Sequence, residues 1–343
     1  MTEDCCRVAV IPGDGIGPEV VSEALKVVAA AGVTLETEHY ELGAARYLRD
    51  GFVMSDDLMS ELSGFDAVLL GAIGPPVDST AVPAGVLERG LLLRLRFDLD
   101  LYVNLRPFDG APGSIAEGAS FKVVRENTEG PYAGEGGVLR RGRPGEIATQ
   151  GSVNTRMGVE RCVRFAFDLA EDSPRRRVTL VHKTNVLTFA GDLWRRVFEE
   201  VGLEHPGVET SYQHVDAACI HMVERAASYG VIVTDNLFGD ILTDLAGALC
   251  GGIGLAASAN LNPAMTGPSL FEPVHGAAHD IAGKGVANPL AAIRSAAMML
   301  DFLEEGEAAS HIERAVLDVQ AGIAGRKDRW STAEIGDAVV GRL

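Results

Sequence analysis

The chain reads as an α/β protein built on a largely parallel sheet, and two features of the sequence predict this. Short β-branched runs, Val8 to Ile11, Ala67 to Leu70, Val178 to Val181 and Val231 to Thr234, are apolar without alternation, as expected of strands buried on both faces. Longer stretches between them carry helical periodicity: in Gly191 to Gly202, Leu193, Val197 and Val201 recur every four residues, with Arg195, Arg196, Glu199 and Glu200 between them. Strands that alternate with helices imply an α/β architecture.

Composition narrows the functional classes. With 343 residues, 47% of them apolar, the chain is long enough to bury a large core as one large or two moderate domains. A formal charge of −18 disfavours nucleic-acid backbones and anionic membrane surfaces, so an anionic substrate needs a local cationic pocket. No apolar run is long enough to span a bilayer, and Met1 to Arg7 lack the apolar core of a secretion signal, so a cytoplasmic location is expected. Cys5, Cys6, Cys162, Cys219 and Cys250 are scattered, with no Cys-x-x-Cys pair, and read as ordinary reduced thiols.

Several segments are candidates for chemistry. Ile11-Pro-Gly-Asp-Gly-Ile-Gly-Pro-Glu19 lies between a strand and a helix, but Gly13, Gly15 and Gly17 have the wrong spacing for a dinucleotide fingerprint. Pro18 suits the first turn of a helix; the residues leave open a tight structural turn or one that lines a ligand. Asp240 and Asp244 stand four apart on an expected helix, so their carboxylates share a face and repel unless a cation lies between them. A solvated acidic face is the plain alternative, yet Ile241, Leu242 and Leu245 imply burial nearby. Hard oxygen ligands favour magnesium or manganese over zinc. Asp216 is a third carboxylate in weakly polar surroundings, although nothing in the residues brings it to the same ion. Arg96, Arg106 and Arg125 each sit beside apolar residues, as structural ion pairs or as the forks of a diacid pocket. Ala133 to Ser152, rich in Gly and Arg, fits either a disordered loop or a protruding hairpin that meets another subunit.

Taken together, these segments resemble the β-decarboxylating dehydrogenases, the family that acts on isopropylmalate, isocitrate, homoisocitrate and tartrate or D-malate. The similarity is carried by Asn104-Leu-Arg-Pro107, Arg125-Glu-Asn-Thr-Glu-Gly130, His182-Lys-Thr-Asn185, Asp235-Asn-Leu-Phe-Gly-Asp240 and Glu272-Pro-Val-His-Gly276, and it covers nearly the whole chain. Within the family, Gly85 to Arg96 and Leu187-Thr-Phe-Ala190 look like the actinobacterial-type members that oxidise 3-isopropylmalate.

The resemblance implies a two-domain isopropylmalate/isocitrate dehydrogenase-like fold without the usual Rossmann topology. Residues 1–100 and 251–343 would form the first domain and 101–250 the second, with an arm at about 133–152. It also implies a homodimer whose active sites are shared, with Lys183 and Asp216 supplied by the neighbouring subunit. Arg96, Arg106 and Arg125 would bind the substrate carboxylates, and Asp216, Asp240 and Asp244 would hold Mg2+ or Mn2+ against the substrate. Lys183 would be the general base and Tyr132 the proton donor to the enolate. Ile11, Glu272, His275, Gly276, Ala277, Ala278, Asp280 and Asn288 would bind the cofactor. Asp280 would accept hydrogen bonds from the ribose and repel a 2′-phosphate, which selects NAD. His279 departs from the pattern, since many relatives carry Pro there.

Substrate choice is expected to come from Glu88, Leu92 and Leu93. Glu88, Leu92 and Arg96 recur every four residues, so a helix should place them on one face, with Leu93 beside Leu92. Leucines at helical spacing read either as plain core or as an apolar wall one turn from Arg96, and such a wall favours an isopropyl substituent and leaves a third carboxylate unpaired. The expected reaction is therefore NAD-dependent oxidative decarboxylation of 3-isopropylmalate to 4-methyl-2-oxopentanoate, as in leucine biosynthesis. The alternatives are the same chemistry on another 2-hydroxy diacid, or a non-catalytic homologue.

Overall fold

A computed structural model of the chain describes residues 5–323 and 330–343. Met1 to Asp4, part of the segment read above for a secretion signal, lie outside the described residues. The strands are β1 (Arg7–Gly13), β2 (Glu36–His39), β3 (Ala67–Ala72), β4 (Val103–Asp109), β5 (Ser120–Glu126), β6 (Gly136–Leu139), β7 (Ile147–Gln150), β8 (Arg177–His182), β9 (Glu209–His214), β10 (Val231–Thr234), β11 (Ala257–Leu261) and β12 (Ser269–Pro273). The helices are α1 (Gly17–Ala30), α2 (Ala44–Asp50), α3 (Asp56–Leu62), α4 (Leu93–Asp98), α5 (Arg156–Glu171), α6 (Thr188–Glu204), α7 (Val215–Arg225), α8 (Asn236–Leu249), α9 (Leu290–Phe302), α10 (Gly306–Ile323) and α11 (Thr332–Val340).

Ten strands form one sheet in the order β2-β1-β3-β12-β11-β4-β5-β10-β8-β9. Pairing is parallel from β2 to β12 and again from β5 to β9. At the centre the successive pairs β12–β11, β11–β4 and β4–β5 are antiparallel. Strands from residues 1–100 and 251–343 occupy one side of this sheet and strands from residues 101–250 the other, with the β11–β4 pair at the seam. The four apolar runs predicted as strands are β1, β3, β8 and β10, and the periodic stretch around Leu193 is α6.

The strands are apolar on both faces because each face is covered. Val8 and Val10 face the core against α1, α9 and α10, whereas Ala9 and Ile11 face a second cluster with Leu62, Leu91 and Leu95. Across the seam, Val124 and Val233 join the first core with α5 and α6, while Val123 and Ile232 pack against Met222 and Leu242 of α7 and α8. This two-sided burial explains why the sequence shows runs rather than alternation.

The Gly- and Arg-rich stretch is a hairpin. β6 and β7 form a separate antiparallel pair with Gly136 opposite Gln150 and Leu139 opposite Ile147, and every residue of both strands is exposed. All five cysteines are free. Among the described residues no helix is long and apolar enough to cross a membrane.

Candidate active site

Helix α8 opens where Asp235 caps it, its Oδ1 accepting the Phe238 N–H at 2.8 Å. The helical period then brings Asp240, Thr243 and Asp244 to neighbouring positions. Gly239 is required here, because a Cβ at that position would lie 2.5 Å from the Arg125 side chain. With that space open, Arg125 runs along the helix start and is 1% exposed. Its Nε donates to the Asn236 carbonyl at 2.8 Å, its Nη2 to Asn236 Oδ1 at 2.7 Å and its Nη1 to Asp240 Oδ1 at 2.5 Å.

Tyr132 stands on the first short turn after β5. Its hydroxyl donates to Asp240 Oδ2 at 2.9 Å, and Arg125 lies over its ring at 5.2 Å. From β4, Arg106 donates to Thr243 Oγ1 at 2.5 Å and stands 3.7 Å from Asp240, with its Nε buried and unpartnered. From α4, Arg96 donates to Glu272 at 3.3 Å. Leu92, Arg96, Arg106, Asp240, Ser258, Glu272 and His275 line a chamber of about 200 Å³.

Burying two guanidinium groups side by side costs several kcal/mol unless anions answer them. Burial and the neighbouring Arg125 pull the basicity of Arg106 down, and burial with Arg96 does the same to Arg125. Burial alone would raise Asp240, but Arg125 and Arg106 outweigh it and hold the carboxyl below its usual range. Asp244 moves the other way, raised by burial and by the charge of Asp240. Burial also raises the Tyr132 phenol. The chamber thus sets fixed cations beside Asp240, whose charge is felt by Asp244, so the acid pair gains from a shared cation. Two carboxylates with no nitrogen or sulfur ligand beside them fit a hard divalent ion.

Lys183 and Asp216 lie elsewhere in the chain's own fold. Lys183 follows β8 directly and donates to Asp216 Oδ1, in the first turn of α7, at 2.5 Å. This contact holds Asp216 below the usual carboxylate range. Among the described residues no hydrogen bond or ion pair links this couple to Asp240, and no three His, Cys, Asp or Glu side chains converge as a metal site within one chain. Within one chain the Lys183–Asp216 couple and the Asp240–Asp244 pair are thus two separate groups.

A larger cavity of about 970 Å³ lies between the segment from Ile73 to Glu88 and the loop from Gly276 to Asp280. Gly276, Ala277, Ala278 and the exposed Asp280 line it. His279 crosses its base, donating from Nε2 to the Gly74 carbonyl at 2.7 Å. The Gly-rich turn after β1 seats this loop: Ile16 N–H donates to Ala277 O at 2.9 Å, and a Cβ on Gly15 would lie 1.8 Å from the same oxygen. Asp14 is a clamp in that turn, accepting from the N–H groups of Ala44, Ala45 and Gly74 at 2.8 to 3.0 Å. These contacts give the turn a structural role within the chain.

The other residues expected at the cofactor stand apart from this cavity's lining. Ile11 is fully buried in the core, and Asn288 caps the α9 approach by accepting from Leu290 N–H at 3.0 Å; neither lines the cavity. Glu272 and His275 line the smaller chamber instead. The single helical face drawn through Glu88, Leu92 and Arg96 is also corrected. Glu88–Leu92 form a π-helical turn, closed by Leu93 N–H on the Glu88 carbonyl, before α4 begins. The extra residue in that turn breaks the four-residue stacking. Glu88 opens on the large cavity, Leu92 on the small chamber and Leu93 on neither. Gly90 permits the turn to pack close, since a Cβ there would stand 2.9 Å from Val53 Cγ1.

A buried amide network beneath the chamber was not foreseen. Asn104 Nδ2 donates to Ser258 Oγ at 2.8 Å and to Asn260 Oδ1 at 3.1 Å, Asn127 Nδ2 donates to Asn260 Oδ1 at 2.9 Å, and Asn260 Nδ2 donates to Glu272 at 2.8 Å. The available signal was Asn in otherwise apolar strand sequence.

A doubly flanked sheet with an antiparallel centre, carrying a chamber lined by Arg96, Arg106 and Asp240 with Arg125 paired to that acid, defines a class, and residues 7–339 match the family model described as "Isocitrate/isopropylmalate dehydrogenase". The chain belongs to the isocitrate/isopropylmalate dehydrogenase family and is an oxidoreductase of the decarboxylating dehydrogenase type. It is 54% identical to the 3-isopropylmalate dehydrogenase of Thermobifida fusca, over 100% of this chain and 99% of that one. It is 53% identical to the 3-isopropylmalate dehydrogenase of Mycobacterium tuberculosis, over 98% and 100%. A crystal structure of isocitrate dehydrogenase from Methylococcus capsulatus superposes with a TM-score of 0.88 at 37% identity, covering 98% of this chain and 99% of that one.

Proposed function

We propose that the protein oxidises and decarboxylates 3-isopropylmalate to 4-methyl-2-oxopentanoate with NAD and Mg2+ or Mn2+, a step of leucine biosynthesis in the cytoplasm. The observation that carries this reading is the chamber in which Arg96 and Arg106 lie beside the apolar Leu92, with Asp240 at its edge. The guanidinium groups of Arg96, Arg106 and Arg125 would fork onto the two carboxylates of the malate core. Leu92 would meet the substituent on the β-carbon, where an isopropyl group is welcome and a charged one is left without a partner.

Asp240 and Asp244, with Asp216 of a neighbouring copy, would hold the divalent ion. When bound there, the ion supplies Lewis-acid polarisation of the hydroxyl and its adjacent carboxylate. Lys183 of that copy would take the hydroxyl proton, and Tyr132 would return a proton to carbon after carbon dioxide leaves. Gly276 to Ala278 and Asp280 would hold NAD, with Asp280 accepting from its ribose hydroxyls, and the cofactor when bound would supply the hydride acceptor.

Sharing of sites between two copies is supported by the separation of the two half-sites. It is supported further by exposed apolar side chains near them, Val186 and Phe189 at the start of α6, Ile220 and Val223 on α7 and Ile241 on α8. In this reading the hairpin β6–β7, with Leu139 and Ile147 exposed, clasps the partner, and the β11–β4 seam separates the two domains.

The test is a panel of isopropylmalate, isocitrate, homoisocitrate, D-malate and tartrate with Mg2+ and either NAD or NADP, followed by absorbance of the reduced nicotinamide. Isopropylmalate with NAD is expected to lead; preference for isocitrate or for NADP overturns the assignment.

A further inference from the structure

The hydroxyl of Tyr212, on β9, touches both chain segments that build the Lys183 half-site. It lies 3.3 Å from the Thr184 N–H, 2.9 Å from Thr184 Oγ1, 3.3 Å from the His182 carbonyl and 2.8 Å from His214 Nδ1. His182 and Thr184 flank Lys183 on either side, and His214 is the residue from which α7 starts, two before Asp216. The parallel β8–β9 register sets Leu180 beside Tyr212 and His182 beside His214, so the strand ends arrive together. The two rings meet edge to face, with centroids 5.2 Å apart.

A phenolic hydroxyl has one proton to give and two lone pairs to receive with. Given to the His182 carbonyl, its proton fixes the peptide before Lys183, while a lone pair receives the Thr184 N–H after it. One lone pair remains, for the Thr184 hydroxyl or for a His214 that carries its proton on Nδ1. A lysine at the end of a strand has four rotatable carbons and an open turn beneath it, so its backbone anchorage decides where Nζ can go.

We propose that Tyr212 is a positioning residue: its hydroxyl ties the turn that presents Lys183 to the helix start that presents Asp216, and so sets their separation before substrate arrives. This rests on the reading of Lys183 as the base and Asp216 as a metal ligand. A base held within hydrogen-bond reach of its proton reacts far faster than one that must search for it.

The test is Tyr212→Phe in the full chain, which keeps the ring and removes the hydroxyl, read by crystallography and by kinetics with isopropylmalate, NAD and Mg2+. In the variant crystal Lys183 Nζ is expected to leave Asp216, beyond about 4 Å, where no hydrogen bond remains. The turnover number should fall by about tenfold or more, the scale of one lost positioning hydrogen bond, with KM for NAD within about twofold and the melting temperature little changed. Retention of the Lys183–Asp216 contact in that crystal overturns the proposal whatever the activity. A uniform loss of binding together with a large drop in melting temperature also overturns it, because that marks a packing role. Should Tyr212→Phe not fold, Thr184→Val removes one partner of the same hydroxyl and is expected to shift turnover in the same direction by a smaller factor; unchanged turnover there defeats the idea. If the wild-type protein does not oxidise isopropylmalate, the substrate reading fails, and the crystal comparison still decides whether Tyr212 sets the pair.

Discussion

Arg125 and Asp240 form a 2.5 Å ion pair in which the cation is almost wholly buried and the carboxylate only partly so. The acid therefore has one oxygen committed to a permanent partner and the other turned toward Tyr132. A divalent ion at Asp240 would compete with neither, since carboxylate oxygens have further lone pairs. Chelation with EDTA is expected to abolish activity, and Mg2+ or Mn2+ to restore it. Asp240→Asn should raise the metal concentration for half activity by about tenfold or more, one lost charge-assisted ligand. Full activity in metal-free buffer counts against the metal site.

Lys183 is tested by removing its amine. Lys183→Met is expected to lower turnover by about two to four powers of ten, the range for a general base, while NAD and substrate still bind. Asp216 then loses its partner, but it is exposed, so stability should change little. Calorimetric binding and steady-state turnover separate the two effects, and near-normal turnover excludes Lys183 as the base.

The π turn yields a sharper prediction for substrate choice than a plain helix does. Leu92 lines the chamber with Arg96 and Leu93 does not. Wild type should favour isopropylmalate over isocitrate in kcat/KM by about a hundredfold, and Leu92→Ser should erode that ratio by about tenfold through isopropylmalate. Leu93→Ser should leave it within about threefold, the effect of a change outside the chamber. Equal effects of the two substitutions would return Leu93 to the pocket.

His275 ties stability to pH. It is buried, and burial holds its pKa below the ordinary 6.5. The unfolded chain therefore binds a proton that the folded chain resists, in the window between the folded value and about 6.5. Stability falls as pH drops through that window and is unaffected above it. His275→Asn is expected to flatten this acid-side loss in melting temperature between about pH 6.5 and 5, the region in which an ordinary histidine titrates. A variant with the wild-type slope rules His275 out as its source.

What the sequence reveals depends on how local the signal is. Strands β1, β3, β8 and β10 stand out because both their faces are buried, which leaves continuous apolar runs. The edge strand β2, Glu-Thr-Glu-His, is polar and exposed and carries no such mark. Strands β4, β11 and β12 hold Asn104, Arg106, Ser258, Asn260 and Glu272, which read as loop residues until distant strands pair them. In the site, the arginines and the Asp240–Asp244 pair are legible as charges set in apolar sequence. The bond from His279 to Gly74 and the clasp of Tyr212 are not, because their partners lie far along the chain or in backbone groups. Ile11 and Asn288 lie outside the lining of the large cavity, a placement that the motifs holding them do not foretell.

The amides under the chamber also act on how the chain is threaded. Asn104 and Asn260 stand opposite one another across β4 and β11, bonded side chain to side chain in a fully buried setting. A slip of one residue at this pairing would turn Arg106 to the wrong face of the sheet and strand dry amides against apolar neighbours, a cost of several kcal/mol. Mispaired molecules are thus penalised at the same place where they would misplace Arg106 of the chamber. The seam proofreads its own alignment, and a population of folded chains should contain fully competent sites or none, with no slow, half-registered form between them.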